Sequence, residues 1–322
     1  MFNHRTNSSP GQDVILVTGA SGLVGVNLLL AALERGGKAA GVRHRTALEI
    51  PGVEISSDDL ADAAAVDALV ARLRPDWIVH CAALADVDYC QAHPEEARRV
   101  NVGMTRTLAA AAKRHGAGLL LVSTDSVFDG RRGGYTEDDA TSPLNVYAQT
   151  KVGAEDAVRA AGLDRHLIVR TNFFGWNAQD KVSLAEWAVR ELEAGRRIKG
   201  FKDVVWAPLL VNDVCETLLD LMAGGHTGLF HAASPEPSNK YDLVRTLAET
   251  FGLDAGLVEE SSIAGATFKA PRPLNTALNG SRLSRTLGRT FPDLATAMRR
   301  FRALRDSGYA GRLKTLTRGH QI

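Results

Sequence analysis

The chain has 322 residues, and its 38 basic and 37 acidic side chains leave a formal charge of +1, so no charge excess marks a polyanionic partner such as nucleic acid. With 45% hydrophobic and 23% charged residues it has the composition of a globular protein with a sizeable core and room for two domains, which excludes collagen, coiled coil and wholesale disorder. No apolar run reaches the roughly 18 residues of a membrane helix; the longest, Leu23 to Leu33, is broken by Asn27.

Residues 1–12 are polar and read as a disordered tail, and the apolar run behind them, Val14 to Val17, is too short for a signal-peptide core. From there short β-branched runs alternate with helical stretches: VILVT (14–18), a helix near 22–35, AAGV (39–42), a helix near 61–73, WIVHCAA (77–83), a helix near 95–115, GLLLVST (118–124), a helix near 145–161 and HLIVRT (166–171). This alternation predicts an α/β fold with a doubly wound parallel sheet, Rossmann-like, over 13–172. After Arg170 the pattern loosens into a helix near 183–194, a short strand pair around 198–210 and helices near 211–223, 240–251 and 281–305. Residues 173–322 are therefore expected to form mainly a smaller α/β substrate domain, with the chain crossing back to the core, and the basic stretch GRLKTLTRGH is expected to fray. Cys81, Cys90 and Cys215 are odd in number and form no CxxC pair, so neither disulfides nor a thiolate metal site is expected, and a reducing cytoplasm fits. The nine histidines show no ligand spacing, and no metal is expected.

The first strand runs into TGASGLVG, which sets Gly19, Gly22 and Gly25 at a strand-to-helix turn. Gly19 permits the tight turn, Gly22 lets backbone approach a pyrophosphate, and Gly25 lets the helix pack closely. Ser21 and Leu23 belong to the same phosphate loop, whose helix start supplies amide donors. At the end of the second strand, where an acid would select NAD(H), the sequence is GVRHR. Arg43 and Arg45 either offer guanidinium groups to a 2′-phosphate, which favours NADP(H), or decorate a surface loop. Asp59 and Leu60 fall where the third strand would end and line the adenine pocket, while the small residues Cys81, Ala82 and Ala83 leave room for the cofactor.

Tyr147 and Lys151 stand four apart in YAQTK at a helix start, so they share a face, and an ammonium beside a phenol lowers its pKa. Ser123 or Thr124, at the carboxyl end of the fifth strand, supplies a neighbouring hydroxyl. Asp125 serves to orient Thr124. Asp86 and Asp88, after the fourth strand, either contact sugar hydroxyls or cap a helix, and Arg272, between prolines, either meets a diphosphate or is a solvated loop charge.

Together TGASGLVG, STDSVFDG, YAQTK, VRTNFFG and APRPLNTAL resemble the extended short-chain dehydrogenases/reductases, in the dTDP-4-dehydrorhamnose reductase-like branch, over nearly all of 13–305. The resemblance implies an NADPH-dependent reductase of a nucleotide-activated keto-deoxysugar: Tyr147 protonates the developing alkoxide, Lys151 lowers the Tyr147 pKa and holds the nicotinamide ribose, and Thr124 bonds the carbonyl. It further implies a substrate pocket of Asp86, Asp125, Ser126, Asn172, Phe173 and Arg272. Ser126 stands where the branch usually has tyrosine and Phe173 where it has tryptophan, so the sugar is expected to differ. Two other activities remain open, a sugar-nucleotide epimerase or dehydratase with bound NAD, and a non-catalytic NADP-binding regulatory subunit. By analogy the helices near 95–115 and 145–161 would form a homodimer interface.

Overall fold

The computed structural model describes residues 13–180 and 182–317, so the expected tail lies outside the described residues. In chain order the first half comprises β1 (Val14–Thr18), α1 (Leu23–Glu34), β2 (Lys38–Val42), β3 (Glu54–Ser56), α2 (Ala63–Leu73), β4 (Trp77–His80), α3 (Val87–Ala92), α4 (Pro94–Arg98), α5 (Met104–His115), β5 (Gly118–Thr124), α6 (Val146–Ala160) and β6 (His166–Thr171). The second half comprises β7 (Phe173–Phe174), α7 (Leu184–Glu193), β8 (Ile198–Phe201), β9 (Val205–Trp206), β10 (Leu209–Leu210), α8 (Val211–Ala223), β11 (Gly228–Ala232), β12 (Ser238–Asn239), α9 (Lys240–Phe251), β13 (Val258–Ser261), α10 (Ser281–Leu287), α11 (Leu294–Asp306) and α12 (Tyr309–Thr315).

Seven strands make one parallel sheet in the order β11-β6-β5-β4-β1-β2-β3. Its centre is apolar because helices cover both faces: every residue of β5, GLLLVST, is buried. Strand order reverses between β1 and β4, so a crevice opens at their carboxyl ends, beside Gly19 and Cys81, and continues past Thr124 and Thr171. Among the described residues no helix is long and apolar enough to cross a membrane.

Several expectations need correction. The third strand stops at Ser56, short of Asp59, and the fourth at His80, leaving Cys81, Ala82 and Ala83 in the loop beyond it. The helix expected near 95–115 is interrupted by a π-helical turn at Arg99–Gly103. The strand pair expected around 198–210 does not pair with itself: β8 joins β13, β9 joins β12 and β10 joins β7. Residues 281–305 form two helices separated by Gly288, which is left-handed at φ 62°, and a stretch containing Pro292. The seventh sheet strand, β11, comes from the second half of the chain and was not foreseen. Residues 311–315, expected to fray, belong instead to α12, where Leu313 is buried and the Tyr309 hydroxyl donates to Asn27 Oδ1 at 2.6 Å.

Candidate active site

The glycine turn is built for close approach. Gly19 is left-handed at φ 67°, and a Cβ there would lie 2.8 Å from the Ala82 nitrogen. A Cβ on Gly25 would run into the Gly19 carbonyl oxygen, so this glycine seats α1 against the turn. The turn is fixed by Gly22 N–H to Gly19 O at 2.9 Å and Ala20 N–H to Val42 O at 3.0 Å. Gly22 is the N-cap of α1, with no side-chain cap and no acid in the first turn, so amide donors face the crevice uncompensated. Ser21 is buried, held by Gln179 Nε2 on its carbonyl at 2.8 Å, and Leu23 packs half-buried against the core.

At the end of β2, Arg43 is half-buried; its N–H donates to Ser56 O at 2.9 Å and its guanidinium to His44 O at 3.1 Å, while Arg45 is exposed. The Ser56 hydroxyl is buried without a partner. The uncapped amides, the space a Cβ would fill, this orphaned hydroxyl on the strand that Arg43 bonds through its backbone, and the Arg43 and Arg45 guanidinium groups at the end of β2 fit a dinucleotide carrying a ribose phosphate. Asp59 is exposed and folds back on Ala61 N–H at 2.9 Å, a local turn rather than a ligand contact; Leu60 is buried.

Thr124, Tyr147 and Lys151 come together around a cavity of about 260 Å³, with Cys81, Ala83, Ser126, Asn172 and Phe173 also on its wall. The larger hollow of about 490 Å³ beside Ser281 and Phe291 has none of these groups. Asn145 places the tyrosine: its Oδ1 caps α6 by accepting from Ala148 N–H at 2.9 Å, and its Nδ2 donates to Pro271 O at 3.0 Å. The Tyr147 pKa is pushed up to about 12 by burial, against a hydrogen bond from the Thr124 side chain that lowers it; the Asp125 charge raises it further. Lys151 is buried and donates from Nζ to Val122 O at 2.8 Å. Burial lowers its pKa to about 8 against the raising influence of Glu155. The expected depression of the Tyr147 pKa by Lys151 is therefore absent here, because the ammonium is turned to the end of β5 and dehydration dominates the phenol.

Sequence reasoning undervalued Asp125. This buried carboxylate accepts from Thr124 Oγ1 at 3.2 Å, Ser126 Oγ at 3.3 Å, Asn172 Nδ2 at 3.0 Å and Thr276 Oγ1 at 2.7 Å. Burial raises its pKa, and the four donors oppose the rise. It thereby fixes β5, the end of β6 and the 270–278 segment in one arrangement. Thr276→Ala removes the shortest bond and is expected to cost about 1 kcal/mol of stability, with a several-fold lower kcat; thermal melts and steady-state rates check both.

Asp86 caps α3, accepting from Tyr89 N–H at 2.9 Å, which is the capping alternative rather than a cavity position. Arg272 is neither free nor simply solvated: it pairs with Asp88 at 3.1 Å and lies 4.9 Å over Phe268, while Asp88 also accepts from Lys269 and Ala270 N–H. Asn101 was missed altogether. The π-helical turn aims its amide at Thr150 Oγ1, 2.8 Å away, and at both backbone groups of Leu84, tying the loop after β4 to α6. Its only signal in the sequence was a polar residue in a half-apolar helix.

A parallel sheet with a glycine turn after β1 and a Thr–Tyr–Lys cluster at the carboxyl ends of its strands is the arrangement of the extended short-chain dehydrogenases/reductases. The family model described as the RmlD substrate binding domain matches residues 13–304, and the chain belongs to that family. It is 33% identical over 284 residues to a probable low-salt glycan biosynthesis reductase of Haloferax volcanii, covering 86% of this chain and 93% of the relative. It is 33% identical over 295 residues to a dTDP-4-dehydrorhamnose reductase of Mycolicibacterium smegmatis, covering 86% and 85%. In fold it is similar to a Bacillus anthracis dTDP-4-dehydrorhamnose reductase solved in complex with NADP, at TM-score 0.81 and 22% identity, covering 91% of this chain and 99% of that one.

Proposed function

We propose that the chain is an NADPH-dependent reductase of a nucleotide-linked keto-deoxysugar. The observation that carries this reading is the meeting of the Thr124 and Tyr147 hydroxyls, with Lys151, in a cavity beside the glycine turn. The relatives named as reductases, and the NADP held by the Bacillus anthracis neighbour, support it.

NADPH, when bound, supplies the hydride. Thr124 hydrogen-bonds the carbonyl oxygen and so favours the negative charge that develops there. Tyr147 is fully protonated at neutral pH, with its pKa near 12, and gives its proton to the alkoxide. Lys151, with a pKa near 8, is mostly cationic at pH 7 and opposes the charge left on the phenolate one helical turn away. Ser126, Asn172 and Phe173 face the sugar from the cavity wall, and Arg272, in the loop that Thr276 ties to Asp125, faces its diphosphate. Arg43 and Arg45 hold the 2′-phosphate.

Arg43→Ala is expected to raise the KM for NADPH roughly ten- to hundredfold, the worth of a charge-assisted contact, and to leave the KM for NADH unchanged. Paired steady-state titrations check this. The activity itself is tested by following NADPH with dTDP-4-dehydrorhamnose and with UDP-, GDP- and CDP-linked keto-sugars. Consumption with one of them is expected. No consumption with any, together with copurification of a catalytic partner, would replace this reading by a regulatory one, and NAD retained through purification would point to an epimerase or dehydratase.

A further inference from the structure

Lys240, at the start of α9, takes no part in the chemistry above, yet its ammonium lies 5.6 Å over the Trp206 ring and has no ion pair or side-chain hydrogen bond among the described residues. The backbone holds it in place. Its N–H donates to Val204 O at 3.2 Å, and β12, just before it, pairs with β9 through Ser238 and Asn239. On the other side of β9, Val205 N–H donates to Leu274 O at 2.7 Å and Thr276 N–H to Val205 O at 3.0 Å. The loop carrying Arg272 and the start of α9 therefore flank the same two-residue strand, and Lys240 responds to the charges of both Asp125 and Arg272.

Burial lowers the Lys240 pKa, the Asp125 charge raises it and the Arg272 charge lowers it again. A half-buried ammonium without an ion pair loses hydration, and among the described residues the Trp206 ring and the Asp125 charge offset that loss only in part, because burial still lowers its pKa. Asp125, the acid whose charge acts on Lys240, is already engaged by four donors, and Asp88 is taken by Arg272 and two backbone amides. Beneath the ammonium, the Trp206 indole nitrogen is buried and also lacks a partner. Arg272 already has Asp88 as its counter-ion, so the Lys240 ammonium is the cation left open to an anionic ligand, with Arg272 adding a second positive charge beside it.

Resting on the reductase reading, we propose that Lys240 joins Arg272 as the subsite for the diphosphate of the nucleotide-linked substrate, Lys240 acting as a point charge over Trp206 and Arg272 as a two-pronged donor. Lys240 is a binding residue here; it does not touch the reacting carbon.

The test is calorimetric titration of the full chain, saturated with NADP⁺, using dTDP and UDP, with thymidine and uridine as controls. The wild type is expected to bind a nucleoside diphosphate, and Lys240→Gln to weaken that binding roughly ten- to hundredfold while the nucleoside affinity stays unchanged. Lys240→Arg is expected to restore most of the loss, and unchanged NADPH affinity in both variants shows that they fold. Diphosphate binding by Lys240→Gln as tight as wild type overturns the subsite and leaves the reductase reading standing. Failure of the wild type to bind either diphosphate overturns both.

Discussion

Tyr147→Phe is expected to lower kcat by about two to four orders of magnitude and to leave NADPH affinity unchanged. The ring stays, so the packing of α6 and the cofactor side of the cavity are preserved. What is lost is the hydroxyl that sits against the Thr124 side chain and keeps its proton at neutral pH. Thr124 alone can bond an oxyanion but is too weak an acid to protonate it. Water entering the cavity provides the residual rate. Steady-state kinetics with a keto-sugar nucleotide and a fluorescence titration with NADPH separate the two quantities, and a variant with wild-type kcat would remove Tyr147 from the chemistry.

The second large effect concerns a buried ion pair behind the site. Glu155, one turn beyond Lys151, accepts from Arg170 at 2.9 Å and 2.7 Å and from Ser123 Oγ at 2.6 Å, and both partners of the pair are almost wholly buried. Arg170→Met leaves that carboxylate desolvated with only Arg159 and Ser123 to answer it, and is expected to cost about 3–5 kcal/mol, on the order of 10 °C in Tm. The pH dependence follows from the sign of the shift. Burial raises the Glu155 pKa, but the hydrogen bond and charge of Arg170, with Ser123 and Arg159, outweigh it and hold the group below the usual carboxylate value. The pair therefore adds stability that is complete above the unfolded pKa, near 4.3, and is lost as pH falls through the lower folded value. In Arg170→Met only Ser123 and Arg159 oppose the raising influence of burial, so the Glu155 pKa rises above its wild-type value, and the deficit against wild type is expected to be largest at neutral pH and to shrink as pH falls through the variant's higher pKa toward the wild-type one. Thermal melts across that range read it directly, and a deficit independent of pH would show that lost packing, not charge, sets the cost.

The parallel core was legible because buried strands read as unbroken apolar runs, VILVT and GLLLVST, and because glycine at Gly19 and Gly25 answers a steric need that other residues cannot meet. GLFHA, the seventh strand, escaped because five residues opening on a glycine carry too little periodicity to stand apart from a loop. The segment 198–210 showed strand propensity, but each short piece pairs with a partner far along the chain, which local pattern does not encode.

The site divides in the same way. Thr124, Tyr147 and Lys151 lie in compact motifs on regular elements, where spacing fixes which side chains meet. Thr276, Asn101 and Lys240 reach the site through tertiary pairing: a loop bonded to Val205, a π-helical turn and the start of α9. The electrostatic expectation for Tyr147 failed because spacing along a helix fixes proximity but not where an ammonium finds its acceptor, and here Lys151 finds it at Val122 O.

The most direct test of the central claim is the fate of the hydride. With NADPH deuterated at the transferring position and the keto-sugar nucleotide that the chain consumes, mass spectrometry of the product is predicted to find one deuterium on the new carbinol carbon and one equivalent of NADP⁺ per sugar. A product without deuterium, or a sugar isomerised with no NADPH consumed, would contradict the account.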